Sequence, residues 1–191
     1  MSERRAQSWP VRVFGLLSRA NYAIALICGV VLLATVIFIL VDIAMRQIVG
    51  RGLGGSDEIS GYVIAGVAAW GFSYALVERA HVRIDVLTGR LPPAGRAVFD
   101  LAAAATLMVV AALVTSYGWR VFARSWNSNS RANTPLETPL WIPQSIWLAG
   151  WGWLTLVALV VTICLAALML MRRFESIHAI GGVGSEMENE Q

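Results

Sequence analysis

Few side chains in this 191-residue sequence have the types and spacing that acid–base, metal or nucleophilic chemistry requires. The histidines are His81 and His178, and the cysteines are Cys28 and Cys164, both in apolar stretches. A haem needs axial ligands inside a helix bundle, and a zinc ion needs several Cys or His at ligand spacing. His81 and Asp85 are four residues apart, but such a pair more often titrates on a solvated loop than catalyses a reaction. The sequence therefore predicts no catalytic site, no metal and no cofactor.

The charged and glycine-rich segments argue against two other kinds of site. All fifteen basic residues are arginines, and they form no extended basic surface with aromatic residues of the kind that nucleic acid requires. The glycine-rich segment 50–55 has no lysine and no preceding strand, so it predicts a turn and not a phosphate-binding loop. Neither nucleic acid as a partner nor a phosphate bound by segment 50–55 is therefore expected.

Four apolar stretches occupy most of the chain, and the elements that they form must position its polar residues and loops. Hydrophobic residues make up 57% and charged residues 14%, whereas about 25% are charged in an average soluble domain. Each stretch has roughly the 20 residues that a helix needs to cross about 30 Å of hydrocarbon, where the backbone must bond within itself. We therefore predict an all-α integral membrane protein with four transmembrane helices in a single membrane domain, residues 1–191. The helices are expected at about 20–46, 57–78, 94–119 and 143–172, followed by a cytoplasmic tail at 175–191.

The distribution of arginine predicts the orientation of these helices. If the N-terminus is cytoplasmic, ten arginines lie near the inner face and five near the outer face. By the positive-inside rule this places both termini in the cytoplasm. Six of the eight tryptophans fall around the third loop and the start of helix four, where an outer aromatic belt is expected. The first apolar stretch is longer than a signal-peptide core, so we expect it to be retained as an anchor.

Polar residues near the ends of helices one and two are candidate structural contacts. Asp42 and Arg46 are four residues apart and can form an ion pair if helix one continues through them. Ser56 is the expected N-cap of helix two, and Asp57 and Glu58 suit the positive end of its dipole.

Small residues recur along helix two at helical spacing. Gly61, Ala65, Ala69 and Ser73 form a stripe against which another helix can pack closely. The sequence leaves open whether that helix belongs to this chain or to a partner subunit.

The loop after helix two is the most charged short stretch of the chain. His81, Arg83 and Asp85 alternate there with apolar residues, which favours an extended entry followed by a short helix lying in the membrane interface. Pro92 and Pro93 would end that helix. We predict that the three polar side chains hold this loop against the bundle or a partner and do not contact a substrate.

The centres of the four apolar stretches carry no charged residue and no proline. Carriers usually bury a charged group in the membrane or break a helix near its centre to bind their substrate. The pattern therefore favours an accessory membrane subunit without a transport path of its own. Two alternatives stay open: a stand-alone four-helix carrier or channel, and a membrane anchor of an enzyme complex.

In their order along the chain, these features resemble the small membrane subunit, of DctQ type, of tripartite ATP-independent periplasmic (TRAP) transporters. The resemblance runs from helix one to the start of helix four. It is carried by Asp42 and Arg46, Asp57 and Glu58, Trp70, the stretch 81–87 with His81, Arg83 and Asp85, Leu91-Pro92, and Trp141-Ile142-Pro143. The chain departs from the family pattern in one place, since Ser56 stands near the acidic pair where an aromatic residue is common.

The resemblance implies a role that the spacing of residues does not. Such a subunit lies in the bacterial inner membrane and pairs with a large membrane subunit that carries the substrate and sodium sites. A periplasmic binding protein delivers an organic acid, and the small subunit enlarges the fixed scaffold against which a mobile domain moves. The implied partners are therefore the large TRAP subunit, the periplasmic solute-binding protein and the lipid bilayer.

Overall fold

Four long helices make up the computed structural model of this protein, which describes residues 9–78 and 92–171. They are α1 (Trp9–Val49), α2 (Ser56–Val77), α3 (Pro93–Asn127) and α4 (Trp141–Leu170). Each is long and apolar enough to cross a membrane. Within the described ranges there is no strand, only an isolated antiparallel bridge between Arg131 and Pro139. The prediction of an all-α membrane protein with four transmembrane helices is therefore confirmed.

Two helices extend well beyond the apolar stretches from which they were predicted. Helix α1 has 41 residues and begins at Trp9, not near residue 20, while α3 continues to Asn127, not 119. At 1.5 Å per residue α1 is about 60 Å long, twice the thickness of the hydrocarbon core. Hydropathy marks where a helix leaves lipid, whereas these helices end where the backbone turns left-handed, at Gly50 (φ 72°) and Asn129 (φ 48°). The predicted interfacial helix and cytoplasmic tail lie outside the described residues.

Helix α4 is the centre of the arrangement. It packs along α3 on one side and α2 on the other, while α1 packs mainly on α2 and contacts α4 at fewer positions. The α3 side of the main seam consists of small buried residues that recur every seven positions: Ala97, Ala104, Ala111, Gly118 and Ser125. On the α4 side of this seam, Thr155 Oγ1 lies 3.0 Å from Thr115 Oγ1, and a Cβ on Gly118 would meet the side chains of Trp147 and Leu148. Small residues that recur every seven positions allow two helices to approach closely.

Helix α1 is held at two levels by buried polar residues. Asn21 and Asp42, its two most buried polar residues, have exposed fractions of 0% and 1%. They are twenty-one residues apart, or about 31 Å along the helix axis, which is close to the thickness of the hydrocarbon core. Asn21 Oδ1 accepts a hydrogen bond of 3.1 Å from Trp153 Nε1 on α4. Between these two anchors much of α1 is exposed and apolar, as expected for a helix that faces lipid or a partner.

Candidate functional site

The corner between α1 and α2 is built around the buried carboxylate of Asp42. One oxygen, Oδ1, accepts the backbone N–H of Leu53 at 2.6 Å, and Oδ2 accepts the Ser56 hydroxyl at 2.8 Å. Arg46 Nη2 lies 2.7 Å from Oδ2, so the ion pair expected from the spacing is present. The Arg46 side chain is 54% exposed, and it also donates to Ser56 Oγ at 3.2 Å. The carboxylate therefore ties the end of α1 to the turn and to the first residue of α2.

The expected role of Ser56 as the N-cap of α2 was wrong. The N-cap is Gly55 in a left-handed conformation, without a side-chain capping bond, and Ser56 is the first helical residue. Its hydroxyl is engaged by Asp42 and so is not available to the backbone of the next turn. The tight turn itself requires a glycine, since a Cβ on Gly52 would lie 2.6 Å from Arg46 Nε and 2.8 Å from Asp42 Oδ1.

A second carboxylate, that of Glu58, connects α2 to the segment between α3 and α4. Its Oε1 accepts the Tyr62 hydroxyl at 2.8 Å, and its Oε2 accepts the hydroxyl of Thr134. Next to this contact, Leu136 packs against Gly55, where an added Cβ would lie 2.2 Å from Leu136 Cδ1. The side chain of Asp57 points outward and is exposed. The two acidic residues predicted as a pair thus have different environments.

The segment that receives Glu58 is a compact hairpin-like loop, residues 130–140. Ala132 N–H donates to Thr138 O at 2.9 Å, and Leu140 N–H donates to Ser130 O at 3.0 Å. A turn at 134–137 closes it, with Glu137 in a left-handed conformation (φ 47°). At its base Trp126 and Trp141 make an edge-on contact, with ring centroids 5.0 Å apart. The loop is therefore an ordered surface joined to α2, α3 and α4.

The small-residue stripe of α2 is divided between two environments. Ala69 and Ser73 are buried, and a Cβ on Gly150 of α4 would lie 2.9 Å from the Ala69 Cβ. Trp70 fastens the same helix pair, since its Nε1 donates to Ile146 O at 3.1 Å. Gly61 and Ala65, by contrast, are exposed. Ala69 and Ser73 thus pack within the chain, whereas Gly61 and Ala65 face outward.

The remaining predicted site residues lie at or beyond the edge of the described structure. Pro92 is the N-cap of α3, in an extended conformation, with Pro93 as the first helical residue. His81, Arg83 and Asp85 lie outside the described residues, so the predicted role of their loop stays a prediction. Sequence reasoning missed Asn21, Trp153, Thr134 and Leu136. Their partners are distant in sequence, and no local spacing indicates such contacts.

The chemistry available in this arrangement is that of packing and hydrogen bonding. Within the described ranges no three His, Cys, Asp or Glu side chains come together to hold a metal ion. A groove of about 520 Å³ between α1, α2 and the start of α4 is lined almost entirely by apolar side chains, among them Ile27, Val31, Val63 and Ile146. Such a lining suits hydrocarbon chains. It contains no cationic side chain that could bind a carboxylate ligand. Within the described ranges, Asn21, Asp42 and Glu58 connect one helix to another or to a loop.

Comparison with known proteins agrees with this geometry. The family described as tripartite ATP-independent periplasmic transporters, DctQ component, matches residues 35–169. A protein of Haemophilus influenzae (strain ATCC 51907 / DSM 11121 / KW20 / Rd), named as a TRAP transporter small permease protein, is 26% identical over 108 residues. That alignment covers 56% of this chain and 67% of the relative. No solved structure matches the chain significantly. Because the family match covers well over half of its length, including the Asp42 corner and the seam of α3 and α4, the chain belongs to the DctQ component family of TRAP transporters.

Proposed function

We propose that this chain is the small permease subunit of a TRAP transporter in the bacterial inner membrane. It acts there as a fixed scaffold for a large carrier subunit. The large subunit carries out ion-coupled uptake of an organic acid, which a periplasmic solute-binding protein delivers. Family membership supports the transporter assignment. The division of labour between the subunits rests on how this chain uses its polar groups.

The observation that carries the scaffold role is that the buried polar groups of α1 are engaged within the chain. Asn21 donates to Leu17 O at 2.9 Å and accepts from Trp153. Asp42 accepts two hydrogen bonds and pairs with Arg46. Polar groups inside a membrane are costly unless they are satisfied, and a transport path needs some that can exchange partners with a substrate. Groups that are fully engaged in holding helices together suit an immobile support.

Gly61 and Ala65 of α2 are the proposed contact with the large subunit. Both are exposed small residues, four positions apart, on a helix whose neighbouring face is already packed against α4. The double substitution Gly61→Leu and Ala65→Leu adds apolar bulk and does not lower hydrophobicity, so insertion should continue while a partner helix is held away. We expect the large subunit recovered by affinity purification of this chain to fall roughly tenfold, the factor that corresponds to about 1.4 kcal/mol.

Two further variants make that experiment specific. Ala112→Leu places the same bulk on an exposed position of α3 and should leave recovery unchanged. Ala69→Leu would instead meet Gly150 of the same chain and should lower the stability of this subunit when it is purified alone. Equal recovery with the Gly61 and Ala65 double variant and with wild type would remove this face as the contact. Co-purification with an enzyme and no carrier would favour the anchor alternative.

Orientation is a separate prediction, based on the excess of arginine near one face. In a background with Cys28→Ala and Cys164→Ala, Ser128→Cys should react with a membrane-impermeant maleimide added to intact spheroplasts. Ala94→Cys, at the opposite end of α3 and equally exposed, should react only after the membrane is opened. The reverse pattern of labelling would mean that both termini are periplasmic.

A further inference from the structure

A shallow groove of about 390 Å³ runs between α1 and α2. Its lining includes Tyr22, Ala25, Gly29 and Leu33 of α1, and Tyr74 of α2. Ala25 and Gly29 are four residues apart and supply little side chain, and a Cβ on Gly29 would meet no atom within 4 Å. The groove is therefore an open depression along the apolar surface of the two helices, and each helix contributes one tyrosine to it.

The two tyrosines lie at the same height in the membrane. Ser18 Oγ donates to Glu78 Oε1 across 3.4 Å, which fixes the relative register of the antiparallel helices α1 and α2. Tyr22 is one turn from Ser18, and Tyr74 is one turn from Glu78, both in the direction of the bilayer centre. Tyrosine prefers this level because its ring is apolar while its hydroxyl stays in the headgroup region.

Arg19 lies one turn before Tyr22, on the same face of α1, and is exposed. Within residues 9–78 and 92–171, its guanidinium and the hydroxyls of Tyr22 and Tyr74 form no hydrogen bond or ion pair. Asn21, the inner anchor of α1, is at this same level, about 31 Å from Asp42. A free cation and two free hydroxyls thus lie at the mouth of an apolar groove, at the depth of lipid headgroups.

We propose that this groove binds one glycerophospholipid from the leaflet on the Trp9 side of the membrane. Arg19 and the two tyrosine hydroxyls bind the phosphodiester, and an acyl chain lies along Ala25, Gly29 and Leu33. Guanidinium is well suited to phosphate because its N–H groups match two oxygens at once. A purely apolar helix of a partner would fill the groove but leave the cation and both hydroxyls without acceptors. The carboxylate of Glu78 is close by, so a headgroup that carries a cation beyond its phosphate also fits.

Lipid retention by the full chain tests the proposal. The chain is purified in detergent, stripped of lipid, and titrated with dioleoyl phosphatidylglycerol or dioleoyl phosphatidylethanolamine while bound lipid is counted by native mass spectrometry. We expect saturation at one tightly bound lipid for at least one of the two. Arg19→Gln should weaken that binding about tenfold, since a charge-assisted bond to phosphate is lost. Gly29→Leu should weaken it by filling the groove while the headgroup contacts remain.

Matched variants separate a site from general attraction to the membrane. Arg51→Gln removes an exposed arginine at the other end of α1, and Gly152→Leu fills open space on α4, so both should bind lipid as wild type does. Equal binding by Arg19→Gln and Arg51→Gln would overturn the proposal, as would a smooth distribution of many weakly bound lipids. The titration is repeated on the complex with the large subunit. Loss of the tightly bound lipid on assembly would also overturn it, because the groove would then be a protein contact.

Discussion

Asp42→Ala is expected to be the most damaging single substitution in the described part of the chain. It removes the acceptor of the Leu53 N–H and of the Ser56 hydroxyl, and it leaves Arg46 without its anion. Loss of one partner from a buried polar cluster leaves the others unsatisfied, and this costs more than the bonds themselves contributed. We expect the yield of monodisperse protein to fall by roughly half or more, with a lower midpoint of thermal unfolding.

Asp57→Ala is the matched control, since it removes the same type of side chain at the position next to Ser56 but outside the cluster. The Asp57 carboxylate is exposed and makes no contact within the described residues, so yield and midpoint should stay near wild type. Arg46→Ala should have an intermediate effect because Arg46 is half-exposed. Combining Asp42→Ala with Arg46→Ala should be no worse than Asp42→Ala alone. If Asp42→Ala and Asp57→Ala behave alike, the corner does not hold α1 to α2.

Gly55→Ala is expected to release the loop at 130–140 from α2. Gly55 has a φ of 75°, which costs an alanine about 1–2 kcal/mol, and its new Cβ would lie 2.2 Å from Leu136 Cδ1. Leu136 must then leave its place against the start of α2. Hydrogen exchange at the amides of Ala132 and Leu140, which hold the loop together, should become faster and reports this directly.

Gly54→Ala separates backbone strain from the steric clash. Gly54 has nearly the same φ, 77°, but a Cβ there would meet no atom within 4 Å. Gly54→Ala should therefore show the effect of backbone strain alone. The amides of the loop at 130–140 should exchange more slowly in it than in Gly55→Ala. Leu136→Ala added to Gly55→Ala should relieve the clash and restore part of the protection. Identical exchange in Gly54→Ala and Gly55→Ala would show that Leu136 does not dock the loop.

The number and approximate place of the helices follow from the sequence because twenty apolar residues in lipid have one favourable backbone solution. The pairing of Asp42 with Arg46 was predictable for a similar reason, since four residues along a helix bring two side chains together. The ends of the helices were harder to predict from the sequence. Trp9 and Asn127 lie beyond the apolar stretches of the sequence, where hydropathy no longer indicates whether a helix continues.

Contacts between distant segments could not be predicted from spacing. Spacing predicts the stripe on α2, but nothing local distinguishes Ala69, which meets Gly150, from Ala65, which is exposed. A stronger packing signal in the sequence is the seven-residue repeat of small residues from Ala97 to Ser125, all of which are buried on α3. The residue type of Ser56 favours a helix cap. A carboxylate fourteen residues earlier in the chain engages its hydroxyl instead.

We propose that this chain supports transport without carrying it out. Proteoliposomes are prepared with this chain alone, with the large subunit alone, and with both. Each receives an inward sodium gradient and the cognate binding protein loaded with the radiolabelled organic acid that it retains on purification. We predict uptake only when both membrane subunits are present, and none above empty liposomes for this chain alone. Uptake by the isolated chain under the sodium gradient would contradict the scaffold role and identify it as a carrier.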